Sequence, residues 1–520
     1  MQLRIIPIQL DDSSARRVPG LAWLALAGST LLPAREVTVR LFWTSPPREV
    51  RLTRTGVVTR IQAGGAPMEV PPGGEIEAGG ARWTLRRPVR IHTAGGRLQL
   101  TVRLPLEDYV AAVLAGEAGG VTSEEALKAM AVAARTYAAR FAGRHAREGF
   151  DFCDTTHCQD LRISVEAERL RAAAEETEGE LVWYRGSPAA TYYAQNCGGG
   201  AEAASALWPD MKAPYLNQHT DDFCQRAEWR AEIRANDLAG AVGRPVESVA
   251  ILSRTASERV ARLRVGGAVV TGPAFRFAVG RALGWNLIRS DLYEVRRAGD
   301  RFVFLGRGAG HGVGLCQAGA ARMSGTYRQI LDFYYPGTQT GVTARGLRWQ
   351  LLGGEHVEVL ATDAQAARPL LDRAEHAAGE IEQETGLRFA LRPRIRLYPT
   401  VATFRDATGE PGWVAASTRG RTVRLQPGAQ PATLRHELLH VLLDRPGLPL
   451  WFREGLTLYL DGARRPGGRP TRPADTAFEQ ARTPAALQQV YDDALASVAA
   501  LVKQHGRAAV LGWVERGGPP

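Results

Sequence analysis

The sequence predicts a mixed α/β (α+β) protein with two globular domains, and three observations carry that expectation. Its 520 residues exceed what one ordinary hydrophobic core spans. The apolar pattern changes from short alternating runs to helical spacing near residue 105, and strand-like runs return after residue 350. Between the two halves lies "YYPGTQTGVTARG", rich in turn formers.

Residues 1–35 precede both domains. Arg16 and Arg17 introduce "VPGLAWLALAGSTLLPA", an apolar stretch too short and too broken by Gly and Pro for a spanning helix. It suits the apolar core of a secretory signal, cleaved or kept as an anchor. The expectation is an exported protein of the periplasm, cell envelope or extracellular space, with no later segment long and apolar enough to span a bilayer.

Apolar content of 45% and charged content of 23% are those of a globular chain. The net charge of +11 is carried by scattered arginines, with lysine only at Lys128, Lys212 and Lys503. No dense basic run, zinc-finger spacing or aromatic-basic alternation occurs, which argues against a nucleic-acid partner. Five cysteines, an odd number, leave at least one thiol unpaired or on a metal. Cys197 and Cys224 could form a disulfide, but sequence does not fix connectivity.

The first domain, 36–340, opens with a β-rich part, 36–104. "EVTVRLFW", "EVRLT", "GVVTRIQA", "PVRIHT" and "LQLTVRLPL" read as strands separated by Pro and Gly turns. "LPLEDYVAAVLAGEA" then reads as a helix from near Pro105. A longer one follows in "TSEEALKAMAVAARTYAARFAGRHA", with Thr122 and Glu125 as a capping box. The second domain, 350–510, reads as strand ("HVEVLA"), helix (363–385), strand ("RIRLYP"), strand ("TVRLQP"), a helix over 434–443 and a last helix near 486–506.

Six blocks in order carry a resemblance: "LPLEDYVAAVLAGEA", "EALKAMAVAARTYAAR", "FDFCDTTHCQDL", "TYYAQNCGGG", "LWPDMKAPYL" and "GRGAGHGVGLCQAGA" with "ILDFYYPGT". Together they resemble the SpoIID/LytB family of cell-wall proteins, the sporulation protein D and amidase-enhancer group. The resemblance implies an α/β domain with a cleft for peptidoglycan glycan strands. It also implies lytic transglycosylase activity as in the sporulation members, or assistance to a wall amidase as in the enhancers. Glu117 matches the family's catalytic glutamate. Lys128 and Arg135 match polar cleft residues, and Tyr193, His311 and Gln317 fall at the cleft in the family manner. Many members carry Met-Pro after the glutamate, where this chain has Ala118-Gly119.

One carboxylic acid suffices for that chemistry. A lytic transglycosylase uses the sugar's own 6-hydroxyl as nucleophile, so the acid that protonates the leaving oxygen can also take the hydroxyl proton. "CDTTHCQ" offers Cys153, His157 and Cys158 as soft ligands for a second zinc ion, some sporulation members binding zinc there. A fourth ligand, such as His145, is not fixed by sequence. The alternative is a turn with buried or disulfide-bonded cysteines.

"RHELLHVLLDRPGLPLWFREGLTLYL" carries the second chemistry. His436 and His440 are four apart on one helix, so both imidazoles can share one Zn2+. Glu437 stands where a general base for metal-assisted hydrolysis would. Pro446, Gly447 and Pro449 break the helix, and Glu454 on the next one supplies a carboxylate ligand. Together with "YPTVATF", these residues resemble the peptidase MA-like (gluzincin) family and imply a zinc metallopeptidase domain.

Overall fold

The computed structural model describes residues 36–519, apart from 55, 119, 164–166, 409, 411, 413, 446, 463–469 and 481–482. The expected export segment, 1–35, lies outside the described residues, as do Gly119 and Pro446. No described helix is long and apolar enough to cross a membrane. The fold is mixed α/β (α+β), and the chain divides into two compact units with the break between Leu347 and Arg348.

In the first unit, strand Glu36–Leu41 pairs antiparallel with Arg97–Pro105 from Glu36↔Pro105 to Leu41↔Leu100. Alternation sets the register: Val37, Val39 and Leu41 face the core, and a slip of one residue would expose all three. The five-stranded sheet runs 68–70, 89–94, 97–105, 36–41, 152–153. A second, four-stranded sheet runs 57–62, 49–54, 75–78, 81–84. The strands at 68–70, 75–78 and 81–84 were not expected, because each is three or four residues long between Pro and Gly turns.

Helices Leu106–Glu117 and Glu124–Phe141 pack on this framework. The expected Thr122–Glu125 capping box does not form. Ser123 is the N-cap and accepts from Ala126 N at 3.2 Å, which leaves Glu125 free to pair with Lys128 and to accept from Tyr327 N. The second helix is buried from Ala126 to Ala138 on all sides except at Lys128.

Residues 228–307 form an inserted subdomain with its own core of Trp229, Ile233, Leu263, Phe275, Phe302 and Phe304. It holds two three-stranded sheets and the helices Ala235–Val242 and Gly272–Leu283. The chain then returns through Leu315–Cys316, which pairs in parallel with Tyr193–Ala194, and through helix Tyr327–Tyr334.

The second unit is built on a five-stranded sheet in the order 350–353, 358–361, 394–397, 422–425, 416–419. Its three inner strands run parallel and its outer pairings are antiparallel. Helix Ala364–Thr385 is capped by Asp363 and ends at Gly386, whose φ of 72° a residue with a side chain adopts with strain. Helices Pro431–Leu443 and Leu450–Leu460 carry the histidine motif and Glu454.

Arg135, expected in the cleft, is instead 1% exposed in the core of the first unit. Its guanidinium pairs with both oxygens of Glu107 and donates to Thr177 and to the carbonyls of Ala174 and Glu180. Every donor faces protein, so none is left for a substrate. Removing one member of such a pair strands the other charge. Arg135→Ala is therefore expected to lower stability by about 3–5 kcal/mol, and Glu107→Leu/Arg135→Leu by less, read from denaturant unfolding.

Candidate functional site

Glu117 is the last residue of helix Leu106–Glu117, where the loop after Cys158 crosses the helix end. Gly116 makes that approach physically allowed: a Cβ there would lie 2.3 Å from the carbonyl oxygen of Asp160. The backbone N–H of Asp160 donates to Glu117 Oε1 at 2.9 Å, and the Gln317 side chain donates from the far side of the fold. Burial pushes the Glu117 carboxyl up to about 7, and the Asp160 charge adds to this, while the two hydrogen bonds oppose it. The result is a carboxylic acid that still holds its proton near neutrality, in reach of solvent.

Gln159 sits between two phenols. Tyr109 Oη donates to its Oε1 and its Nε2 donates to Tyr193 Oη, both at 2.8 Å. Burial first, and then the charge of Glu117, hold the Tyr193 hydroxyl far above its ordinary value. His311 lies behind Tyr193. Its Nδ1 accepts from Val313 N at 3.0 Å, its ring also meets the Tyr193 backbone, and burial lowers its pKa to about 3. It is a neutral prop against Tyr192 and Trp208.

Of the residues expected at the cleft, the structure thus brings Glu117, Gln317 and Tyr193 together, with His311 behind them. Lys128 is committed to Glu125 at 2.9 Å and Glu176 at 2.8 Å, and Arg135 to the core pair. Asp160, Gln159 and Tyr109 were not anticipated. Gln159 and Asp160 stand inside the quoted "CDTTHCQDL", next to the residues read as metal ligands.

Those ligands do converge. Among the described residues, His145, Cys153, His157 and Cys158 place one donor atom each within 4.8 Å of one another. Cys158 Sγ lies 3.4 Å from His145 Nε2, and both sulfurs lie 3.7 Å from His157 Nδ1. His145 supplies the fourth position that the sequence left open. Glu148 holds its Nδ1 at 2.5 Å, the carboxylate–histidine arrangement that fixes Nε2 toward an ion. Hydrogen bonding from Cys158 holds the Cys153 thiol well below its ordinary value. Two sulfurs and two imidazoles at these separations suit a tetrahedral metal. All five cysteines are free, so the Cys197–Cys224 bridge that the sequence left open is not formed.

In the second unit, His436 Nε2 and His440 Nε2 face each other at 3.1 Å, and Glu454 Oε2 is 3.9 Å from His440 Nε2. This group is looser than the sulfur cluster. Asp461 holds His436 Nδ1 at 3.1 Å and Thr457 meets His440 Nδ1 at 3.4 Å, so both Nε2 atoms are turned to the same space. Glu437 Oε2 accepts from Thr418 Oγ1 at 2.5 Å. Burial pushes Glu437 up to about 7 and Glu454 up to about 8. Glu437 Oε1 and Glu454 Oε1 are buried without a hydrogen-bond partner. Orphaned carboxylate oxygens beside two paired imidazoles have the donor chemistry of a divalent cation site.

Residues 94–184, which contain Glu117 and the sulfur cluster, match the family model for SpoIID, stage II sporulation protein. An uncharacterized protein of Brachyspira hyodysenteriae is 32% identical over 252 residues, covering 45% of this chain and 66% of its own. The stage II sporulation protein D of Bacillus subtilis is 28% identical over 292 residues, 50% of this chain and 81% of its own. The amidase enhancer of Bacillus subtilis is 26% identical over 283 residues, 44% of this chain and 39% of its own. The chain thus spans about two thirds of the first relative and well under half of the enhancer. Residues 94–184, with Glu117 and the His145 cluster, thus form a SpoIID-family segment within the first unit, while Tyr193, His311 and Gln317 lie beyond it.

Proposed function

We propose that this chain is an exported cell-wall protein whose first unit cleaves peptidoglycan glycan strands as a lytic transglycosylase. The observation that carries the reading is the Glu117 carboxyl, held up to about 7 by burial and offered donors by Asp160 N and Gln317. In the proposed reaction Glu117 gives its proton to the glycosidic oxygen as the C1–O bond breaks. The 6-hydroxyl of the same sugar attacks C1 and returns its proton to Glu117, which leaves a 1,6-anhydro end and a restored acid. Gln317 and the Asp160 N–H steady the carboxylate between the two transfers. The likeness to an amidase enhancer supports a wall amidase as a partner.

For the second unit, we propose a zinc metallopeptidase-like function. His436, His440 and Glu454 would hold the ion, which when bound supplies Lewis acidity for hydrolysis. Glu437, with Oε2 fixed by Thr418 and Oε1 unpartnered, is the group that holds and hands on a proton. For the sulfur cluster of the first unit we propose zinc as well, in a closed structural role.

Purified protein given peptide-stripped glycan strands is expected to release 1,6-anhydro products, and Glu117→Gln to lower that release at least 100-fold. Unchanged release by the variant sinks the reading. Stimulation of an added amidase without any anhydro product points instead to an activator.

The raised carboxyl also sets the sign of the pH response. The acid is loaded below about 7 and empties above it, so turnover is expected to fall as pH rises through about 7. Its folded value exceeds the ordinary 4.5, so between the two the native state binds more protons than the unfolded one and loses stability as pH rises. The Glu117→Gln protein is expected to lack this loss. Its melting temperature should gain on wild type between pH 4.5 and 7, by scanning calorimetry.

His436→Ala in the full chain is expected to remove one equivalent of zinc, counted by native mass spectrometry. An identical count in wild type and variant removes the support for a metal at the second unit.

A further inference from the structure

Three chain segments meet at the start of the short helix that carries Gln317, each bringing sulfur or carboxylate. Cys197 follows strand Tyr193–Ala194, and Cys316 ends the strand paired with it. Asp221 and Cys224 come from the turn that leads into strand Glu228–Arg234. All four are buried, Cys197, Cys316 and Asp221 to 1% exposure, and one donor atom from each lies within 4.8 Å of all the others.

The surroundings are polar in a way that three buried thiols do not need. Asp221 Oδ2 accepts from Tyr334 Oη at 2.9 Å and lies 3.2 Å from Cys197 Sγ. Its Oδ1 accepts from the backbone of Phe223 and Cys224. Backbone N–H groups also point at sulfur: Cys197 N and Gly319 N lie 3.2 and 3.3 Å from Cys316 Sγ. Such donors favour a thiolate over a thiol at Cys316. A Cβ on Gly319 would stand 2.5 Å from Asp221 Oδ2, so glycine is what leaves room for the carboxylate.

We propose that Cys197, Cys224, Cys316 and Asp221 form a second structural site in the first unit for a zinc-class divalent ion, separate from the His145 cluster. A tetrahedral ion with bonds to sulfur of about 2.3 Å places its donors about 3.8 Å apart, which this span reaches with small shifts. Three thiolates select a borderline or soft ion over magnesium or calcium. Four protein ligands leave no open position, so the ion's work is to hold chain segments together. It holds them at a consequential place: Cys316 caps helix Gln317–Ala320, whose first residue reaches Glu117, and Asp221 and Cys224 stand at the root of the inserted subdomain.

The chemical rival is a disulfide between two of the three thiols, since oxidants outside the cytoplasm can close so short a gap. Full-length protein purified without chelator separates the two. Native mass spectrometry is expected to show Cys224→Ser one zinc equivalent below wild type, with Cys197, Cys224 and Cys316 all reduced in the wild-type peptide map. An unchanged zinc count, or a disulfide mapped within these three residues, overturns the proposal. Should Cys224→Ser fail to fold, Co2+ loaded into a Cys153→Ser/Cys158→Ser protein decides. The remaining thiolates are then those of this site, so a thiolate-to-cobalt charge-transfer band is expected, and its absence overturns the proposal.

Discussion

A carboxyl group lifted out of water keeps its proton unless donors are aimed at it, and the first unit is arranged around this constraint at Glu117. The helix that ends there supplies the residue, yet both hydrogen-bond donors come from elsewhere. Asp160 arrives on the loop that follows the His145 cluster, and Gln317 on the short helix capped by Cys316. Each donor therefore stands next to a cluster of buried cysteines. Both loops also feed the core of the first unit, one through Leu161 and the other through Leu315 and Ala320.

The second unit manages buried charge differently. Glu437 and Glu454 each keep one oxygen without a partner on a helix pair whose Leu438, Leu439, Leu442, Phe452 and Leu456 are fully packed. Leaving a buried carboxylate oxygen unmet is costly, so such groups persist where something else uses them. Thr418 from a strand and Asp461 from a helix end orient the rest of the cluster.

How much of this was readable depends on the range of the contact. His436, Glu437 and His440 were legible because one helix fixes their spacing, and Glu454 because a second helix follows directly. Thr418 and Asp461 were not, since sheet order and a helix end bring them in from 19 and 25 residues away. Glu117 was found through its motif, but Gln159 and Tyr109 were not, although both lay in quoted blocks. Arg135 was assigned to the cleft, while its neighbours hinted otherwise. An arginine inside "AMAVAARTYAA", where small apolar residues cover every face, lies on a helix packed all round and must find its partners in the core. The strands at 75–78 and 81–84 escaped notice because paired glycines broke a pattern already only four residues long.

The inserted subdomain leaves and rejoins its host through neighbouring strands, with Glu228 opposite Arg307. Its two ends are thus about 5 Å apart, the separation of partners in an antiparallel ladder. Arg259 of this module, 2% exposed, also reaches back into the host and donates to the carbonyls of Cys197 and Gly200. Phe277 and Trp285, both exposed, meet edge to face on its surface. What enters by two adjacent strands is therefore also anchored from within, at the segment that carries Cys197.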